Sequence, residues 1–132
     1  MSPETLRLPE QIRLAIEAHA SNCAPDECCG LLASDAEGRL RFAYPLTNVE
    51  ASPISFTIDP DEHLHALLHA EAQGWEISGV FHSHPGGEGL PSARDLRAPH
   101  DPAWIHLIVA TGRVRAFTYL EGRALELEVD LG

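Results

Sequence analysis

Apolar positions along the chain change period several times, and each change marks an element. Leu8, Ile12, Ala15, Ile16 and His19 recur at three- and four-residue intervals. That spacing predicts a helix opening with Pro9 as its first residue and ending near Ser21 and Asn22, before Pro25. The run 25–33 then reads as a strand entered through the acidic pair Asp26 and Glu27. A turn at 35–38 leads into alternating residues over 39–45, a second strand. Residues 48–53 form a loop and 55–58 a short strand. Asp59, Pro60, Asp61 and Glu62 combine a capping carboxylate, a first-turn proline and acids at the positive end of the helix dipole. The helix they open is expected to turn Leu64, Leu67 and Leu68 inward and to close at Gly74.

Residues 75–81 are an apolar strand, 92–97 a short helix and 100–102 a turn. The stretch 104–110 is apolar on both faces, as an interior strand should be. Turns at Thr111-Gly112 and Glu121-Gly122 separate it from strands over 114–120 and 125–129. Without repeats or linkers, this order predicts one α/β domain over 1–132, with a mixed central sheet of about six or seven strands flanked by helices.

Charge narrows the partners. Nine basic residues against twenty acidic ones give a net charge of −11, a surface that repels phosphate backbones and anionic membranes. No apolar run approaches the ~20 residues of a membrane span, and the N-terminal region lacks the apolar core of a secretory signal. Cys23, Cys28 and Cys29 are odd in number and crowded into seven residues, which disfavours a disulfide framework. They read as buried thiols of a cytoplasmic protein rather than as a thiolate metal site, since no CxxC and no fourth cysteine accompany them.

The chemistry concentrates after the strand at 75–81. His82 and His84 are one residue apart, so on extended chain they share a face with Cα atoms ~6.5 Å apart. A loop of glycine and proline follows, then Ser92-Ala93-Arg94-Asp95. Two imidazoles and a returning carboxylate, with one position left for water, are the ligand set of a catalytic zinc site. Ser92 and Asp95 also read as a capping box that starts a helix, and the two readings are compatible. A ligand on a helix's first turn is well presented, and a capping serine keeps a hydroxyl to aim at a metal-bound group.

The other histidines take structural readings. His65 and His69 share a helix face, but Ala66 stands where an HExxH site needs glutamate, so with His63 they make a polar flank. His19 edges an apolar stripe, and His100 and His106 have no partner at ligand spacing.

His-x-His-Pro, six residues, then Ser-x-x-Asp resembles the JAMM motif of the MPN-domain metalloproteases. Pro25-Asp26-Glu27-Cys28-Cys29-Gly30-Leu31-Leu32 resembles that family's upstream glutamate segment. The likeness extends to Pro45-Leu46-Thr47-Asn48 and to Phe56-Thr57-Ile58-Asp59-Pro60. The resemblance implies an MPN-like, cytidine-deaminase-like domain in which His82, His84 and Asp95 bind one Zn²⁺. It also implies Glu27 as general base and Ser92 as oxyanion stabiliser. Short segments after Asn48 and Asp95 are similar to the compact bacterial members. The substrate implied is a ubiquitin-like sulfur-carrier protein cut after its C-terminal Gly-Gly, releasing cysteine or exposing the diglycine. A JAMM peptidase on phage-tail or cell-wall peptides, and a non-enzymatic zinc-containing binding module, are the rival expectations.

Overall fold

The computed structural model describes residues 5–132. In chain order its elements are β1 (Thr5–Arg7), α1 (Glu10–Cys23), β2 (Cys29–Ser34), β3 (Leu40–Leu46), α2 (Pro60–Ala72), β4 (Glu76–Ser83), α3 (Ala93–Arg97), β5 (Ile105–Ala110), β6 (Arg113–Leu120) and β7 (Arg123–Asp130). The strands form one mixed sheet in the order β1-β7-β6-β5-β4-β2-β3. β4 runs parallel to β5 and antiparallel to β2, so the strand bearing the histidines is interior to the sheet.

Alternation along the strands divides the core in two. Ile12 and Ile16 of α1 pack on one face with Leu32, Phe81, Leu107 and Ala116. Ala66 and Ala70 of α2 pack with Leu31, Ala33, Tyr44 and Val80. Gly30 is required where β2 passes β4, because a Cβ there would overlap the Phe81 ring and the Tyr44 carbonyl oxygen.

Several expectations hold and several are corrected. Asp59 caps α2, accepting from the Asp61 and Glu62 amides, and Gly74 follows its end with φ 78°. The inward leucines do not hold: Leu68 is 53% exposed and Ala70 fully buried, with Leu64 and Leu67 also on the outer side. The helix approaches the sheet closely through alanines, and that leaves no room for leucine on the inner face. Pro9 is the N-cap residue rather than the first helical one, and α1 runs to Cys23. β2 begins only at Cys29, which leaves Glu27 just ahead of the strand.

The strand expected at 55–58 is reduced to a single bridge between Asn48 and Ile58. Side chains replace the ladder there: Asn48 Oδ1 accepts from the Glu50 and Thr57 amides, and Glu50 accepts from the Ser55 and Thr57 hydroxyls. β1 carries no sequence pattern of its own; its three residues are ordered by parallel pairing with β7. Cys28 and Cys29 are buried, and burial pushes their thiols up to about 11 and about 12, so neither offers a thiolate at neutral pH.

Candidate metal centre and active site

β4 ends in Phe81-His82-Ser83, and the chain stays extended through His84, whose amide donates to the Val109 carbonyl of β5 at 2.9 Å. Both imidazoles therefore emerge on the α2 side of the sheet. The glycine-rich loop then returns the chain to α3, whose first turn carries Asp95. His82 Nε2 lies 3.0 Å from His84 Nε2, and Asp95 Oδ2 lies 3.3 and 3.1 Å from the two nitrogens. Ligand atoms around a tetrahedral ion at about 2.0–2.1 Å stand about 3.3 Å apart, so this triangle fits one face of such a site. Among the described residues it is the group that could hold a metal ion.

Each member is held from behind. His84 Nδ1 is 3.3 Å from the Glu88 carbonyl, an acceptor that favours the tautomer with Nε2 free to ligate. The Phe56 ring stacks on His82 with centroids 4.7 Å apart. Ser92 Oγ accepts from the Asp95 amide at 3.0 Å, and Asp95 Oδ2 accepts from the Ser92 amide at 2.9 Å. The capping box and the ligand position are thus the same residue pair, and the Ser92 hydroxyl proton remains available to an incoming oxygen.

Electrostatics separates the roles. Burial raises the Asp95 carboxyl, but hydrogen bonds from His82, His84 and the Ser92 amide outweigh it and hold the group well below the usual carboxylate range. Burial likewise lowers His82. His84 is lowered by burial too, yet the bond and charge of Asp95 leave it net raised.

Glu27 arrives on the neighbouring strand's approach. Cys29 pairs with His82 across β2 and β4. The Cys28 amide donates to Ser83 Oγ at 2.8 Å, and the Ser83 amide donates to the Cys28 carbonyl at 3.2 Å. The Glu27 amide donates to the Ser52 carbonyl, and the Glu27 carbonyl accepts from Asn48 Nδ2 at 3.1 Å. Only 5% exposed, its carboxyl is pushed by burial from an ordinary 4.5 up to about 7; Asp95 and Glu50 add to this, and His84 and Arg94 oppose it. A carboxylate poised near neutrality can both accept and return a proton.

Of the remaining histidines, His19 and His69 keep structural roles, whereas His63, His100 and His106 line a cavity beside the ligand triangle. His19 Nε2 lies within 3.1 Å of the Cys29 and Leu46 carbonyls, a satisfied edge position. His69 Nδ1 meets the Tyr44 hydroxyl at 2.7 Å. His106, a structural residue by its spacing, instead stacks on Tyr119 at 3.8 Å and lines a cavity that also reaches His82 and Asp95. Asn48, Ser83 and Phe56 likewise support the site without any local spacing that marks them.

A mixed sheet with helices on both sides is the fold of the JAB1/MPN and JAMM structures, and the matching family model and peptidase-named relatives make the chain a hydrolase of peptide or isopeptide bonds. The chain belongs to the family described as prokaryotic homologs of the JAB domain, whose model matches residues 9–120. It is 34% identical to the desampylase of Haloferax volcanii over 98% of each chain. It is 35% identical to a probable TtuB-protein conjugate cleaving protease of Thermus thermophilus, over 94% of this chain and 82% of that one. A CysO-cysteine peptidase of Mycobacterium tuberculosis is 29% identical, over 89% of this chain and 84% of that one.

Among solved structures, a protein from Desulfitobacterium hafniense superposes with a TM-score of 0.86 at 32% identity, over 96% of this chain and 92% of that one. The structure described as a JAMM metalloprotease-like zinc site in the proteasome and signalosome shares the fold, with a TM-score of 0.55 at 21% identity, over 96% and 98% of the chains. No helix among the described residues is long and apolar enough to cross a membrane.

Proposed function

We propose that this protein is a zinc-dependent hydrolase that cuts the amide bond after the C-terminal Gly-Gly of a ubiquitin-like sulfur-carrier protein. The observation that carries the reading is the triangle of His82, His84 and Asp95 beside a buried glutamate whose pKa is near 7. The conjugate-cleaving and carrier-cysteine activities named for the Thermus and Mycobacterium relatives support the substrate class.

His82, His84 and Asp95 would hold the zinc ion. When bound, zinc acidifies water toward neutral pKa and polarises the scissile carbonyl. Glu27 takes the proton of the attacking water and passes it to the leaving nitrogen. The Ser92 hydroxyl donates to the carbonyl oxygen as negative charge develops there, an interaction that strengthens in the transition state. Gly86, Gly87 and Gly89 leave three positions of the loop between His84 and Ser92 without side chains, which would let an extended diglycine tail approach its backbone.

Incubation of zinc-loaded protein with a carrier–Gly-Gly–amino acid adduct, followed by mass spectrometry, tests this. Release of the amino acid, lost with a chelator and restored by zinc, is the expected result. An intact adduct overturns the reading.

A further inference from the structure

A histidine that ligates a metal normally gives its second ring N–H to a hydrogen-bond acceptor, which fixes the tautomer and aims the ligating nitrogen. His84 has such a partner in the Glu88 carbonyl, and the Asp95 carboxylate is steadied by the Ser92 amide. His82 differs: its Nδ1 is buried without a protein partner among the described residues. The Phe56 ring stacked on it supplies packing but no acceptor for that nitrogen.

Two further buried side-chain atoms share this condition among the described residues, His106 Nε2 and the Tyr119 hydroxyl. All three residues lie on one face of three successive strands. β4 and β5 pair His82 with Ile108 and Val80 with His106, so His106 is a diagonal neighbour of His82. β5 and β6 pair His106 with Phe117, which sets Tyr119 on the same face two residues along, its ring stacked on His106 at 3.8 Å. His82 and Tyr119 are 2% exposed and His106 6%. Together they line a cavity of about 330 Å³ beside the ligand triangle. Its other walls are mixed, Phe56 and Trp104 alternating with Ser55, His63 and His100. The Ser55 hydroxyl is already given to Glu50, and His100 Nδ1 meets the Ala98 carbonyl.

Burying one polar atom without a bond is costly, so three facing one cavity mark a site built for a hydrogen-bonding occupant. A buried water needs room and two to four polar partners, and both are present. The valences also match. His82 ligating through Nε2 keeps its proton on Nδ1, a donor. Burial raises the Tyr119 hydroxyl, which therefore keeps its proton, and lowers His106 to about 4, leaving a neutral ring with a nitrogen free to accept. One water accepts from His82 Nδ1–H and from the Tyr119 hydroxyl and donates to His106 Nε2.

We infer that His106 and Tyr119 are positioning residues for the metal ligand His82, acting through an ordered water held between the three side chains. This role rests on the zinc site proposed above and is independent of which amide is cut. Loss of either residue frees the water and lets the His82 ring turn about its stack on Phe56, while His84 and Asp95 keep their own supports.

Zinc titration calorimetry on the full chain would compare the parent with Tyr119→Phe, His106→Phe and His106→Gln, each checked for folding by thermal melting. Ile16→Val, in the core on the opposite face of the sheet, is the control for a purely structural loss. Tyr119→Phe and His106→Phe should each weaken zinc binding by about tenfold, the usual scale for such outer contacts. His106→Gln, whose amide oxygen accepts from the same water, should restore most of the affinity. In zinc-loaded protein with ¹⁵N-labelled histidine rings, His82 Nδ1–H should give a slowly exchanging resonance with a cross-peak to bound water. That resonance should shift or exchange away in both phenylalanine variants, whereas Ile16→Val should lower the melting temperature and move neither readout. Unchanged zinc affinity or an unmoved His82 resonance in both phenylalanine variants, or equal effects in Ile16→Val, would overturn the inference. A parent chain that binds no zinc overturns it together with the proposed function. Zinc binding that responds as expected, with no carrier adduct cut, leaves the positioning role standing and removes the carrier reading alone.

Discussion

Cys29 stands opposite His82 across the antiparallel β2–β4 pair, and this one register fixes the spacing of Glu27 and the two histidines. Two residues back from Cys29 is Glu27; two residues on from His82 is His84. The reciprocal bonds between Cys28 and Ser83 carry the pairing to the last residue of β4 and one residue ahead of β2. Glu27 and His84 are therefore set relative to each other by the pairing of their strands.

Ser83→Ala leaves the buried Cys28 amide without its side-chain acceptor. A lost buried partner costs about 1–3 kcal/mol. Denaturant unfolding should show that loss, and kcat should fall with zinc content unchanged, because Glu27 rather than the ligand triangle is released.

Glu27→Gln should separate stability from activity. The folded state raises this carboxyl from 4.5 to about 7, so it binds the proton more tightly than the unfolded chain does. The resulting penalty is absent below about pH 4.5, grows as pH rises to about 7 and is complete above it. A shift of that size corresponds to about 3 kcal/mol. Metal-free Glu27→Gln should thus be more stable than the parent chain at pH 8 and equal to it at pH 4, by thermal melting at both values, while hydrolysis is lost.

The pH profile of kcat/KM should rise on its acid side with the ionisation of Glu27, as a base requires. Burial raises the carboxyl in the metal-free protein, and a bound dication would lower it again. An acid limb that persists unchanged in Glu27→Gln would show that Glu27 is not the titrating base.

Metal addition should raise the melting temperature of the parent protein, since a ligand that binds only the folded state stabilises it. His84→Ala should abolish the shift and leave the metal-free melting temperature little changed. Asp95→Ala should abolish the shift and also lower metal-free stability by about 1 kcal/mol, because it removes half of the capping box. Calorimetric titration with zinc checks the first effect and thermal melting the second.

Gly30→Ala should destabilise by about 3 kcal/mol or more. Its Cβ has no space between the Phe81 ring and the Tyr44 carbonyl, so β2 must move away from β4. Circular dichroism melting measures the loss.

The ligand triangle was legible in the sequence because its spacing is local: alternate strand positions, a glycine-rich return and a cap. The helix start at Asp59 and the turn at Glu121-Gly122 follow equally local rules. What the sequence hid depends on partners far along the chain. Nothing near Glu27 states that β2 will pair with β4 in the register whose continuation sets Glu27 opposite His84. Nothing near His106 places Tyr119 beneath it until β5 and β6 align. Hydrophobicity alone turns α2 leucine-side inward, because leucine outranks alanine, whereas close approach to a sheet favours the smaller side chain. The side-chain bonds of Asn48 and Glu50 displaced the expected strand at 55–58, and alternation of residue types cannot show such a substitution.

α3 has five residues, far short of the length at which an isolated helix holds itself together. Its order comes from Leu96 packing on Ile108, Phe117 and Tyr119, and from the Ser92–Asp95 cap. The third ligand is therefore only as well placed as that single turn. A lesion in the small apolar patch under Leu96 would displace Asp95 while leaving both histidines untouched. In a screen for lost activity, such changes would pass as catalytic mutations though they touch no reacting atom.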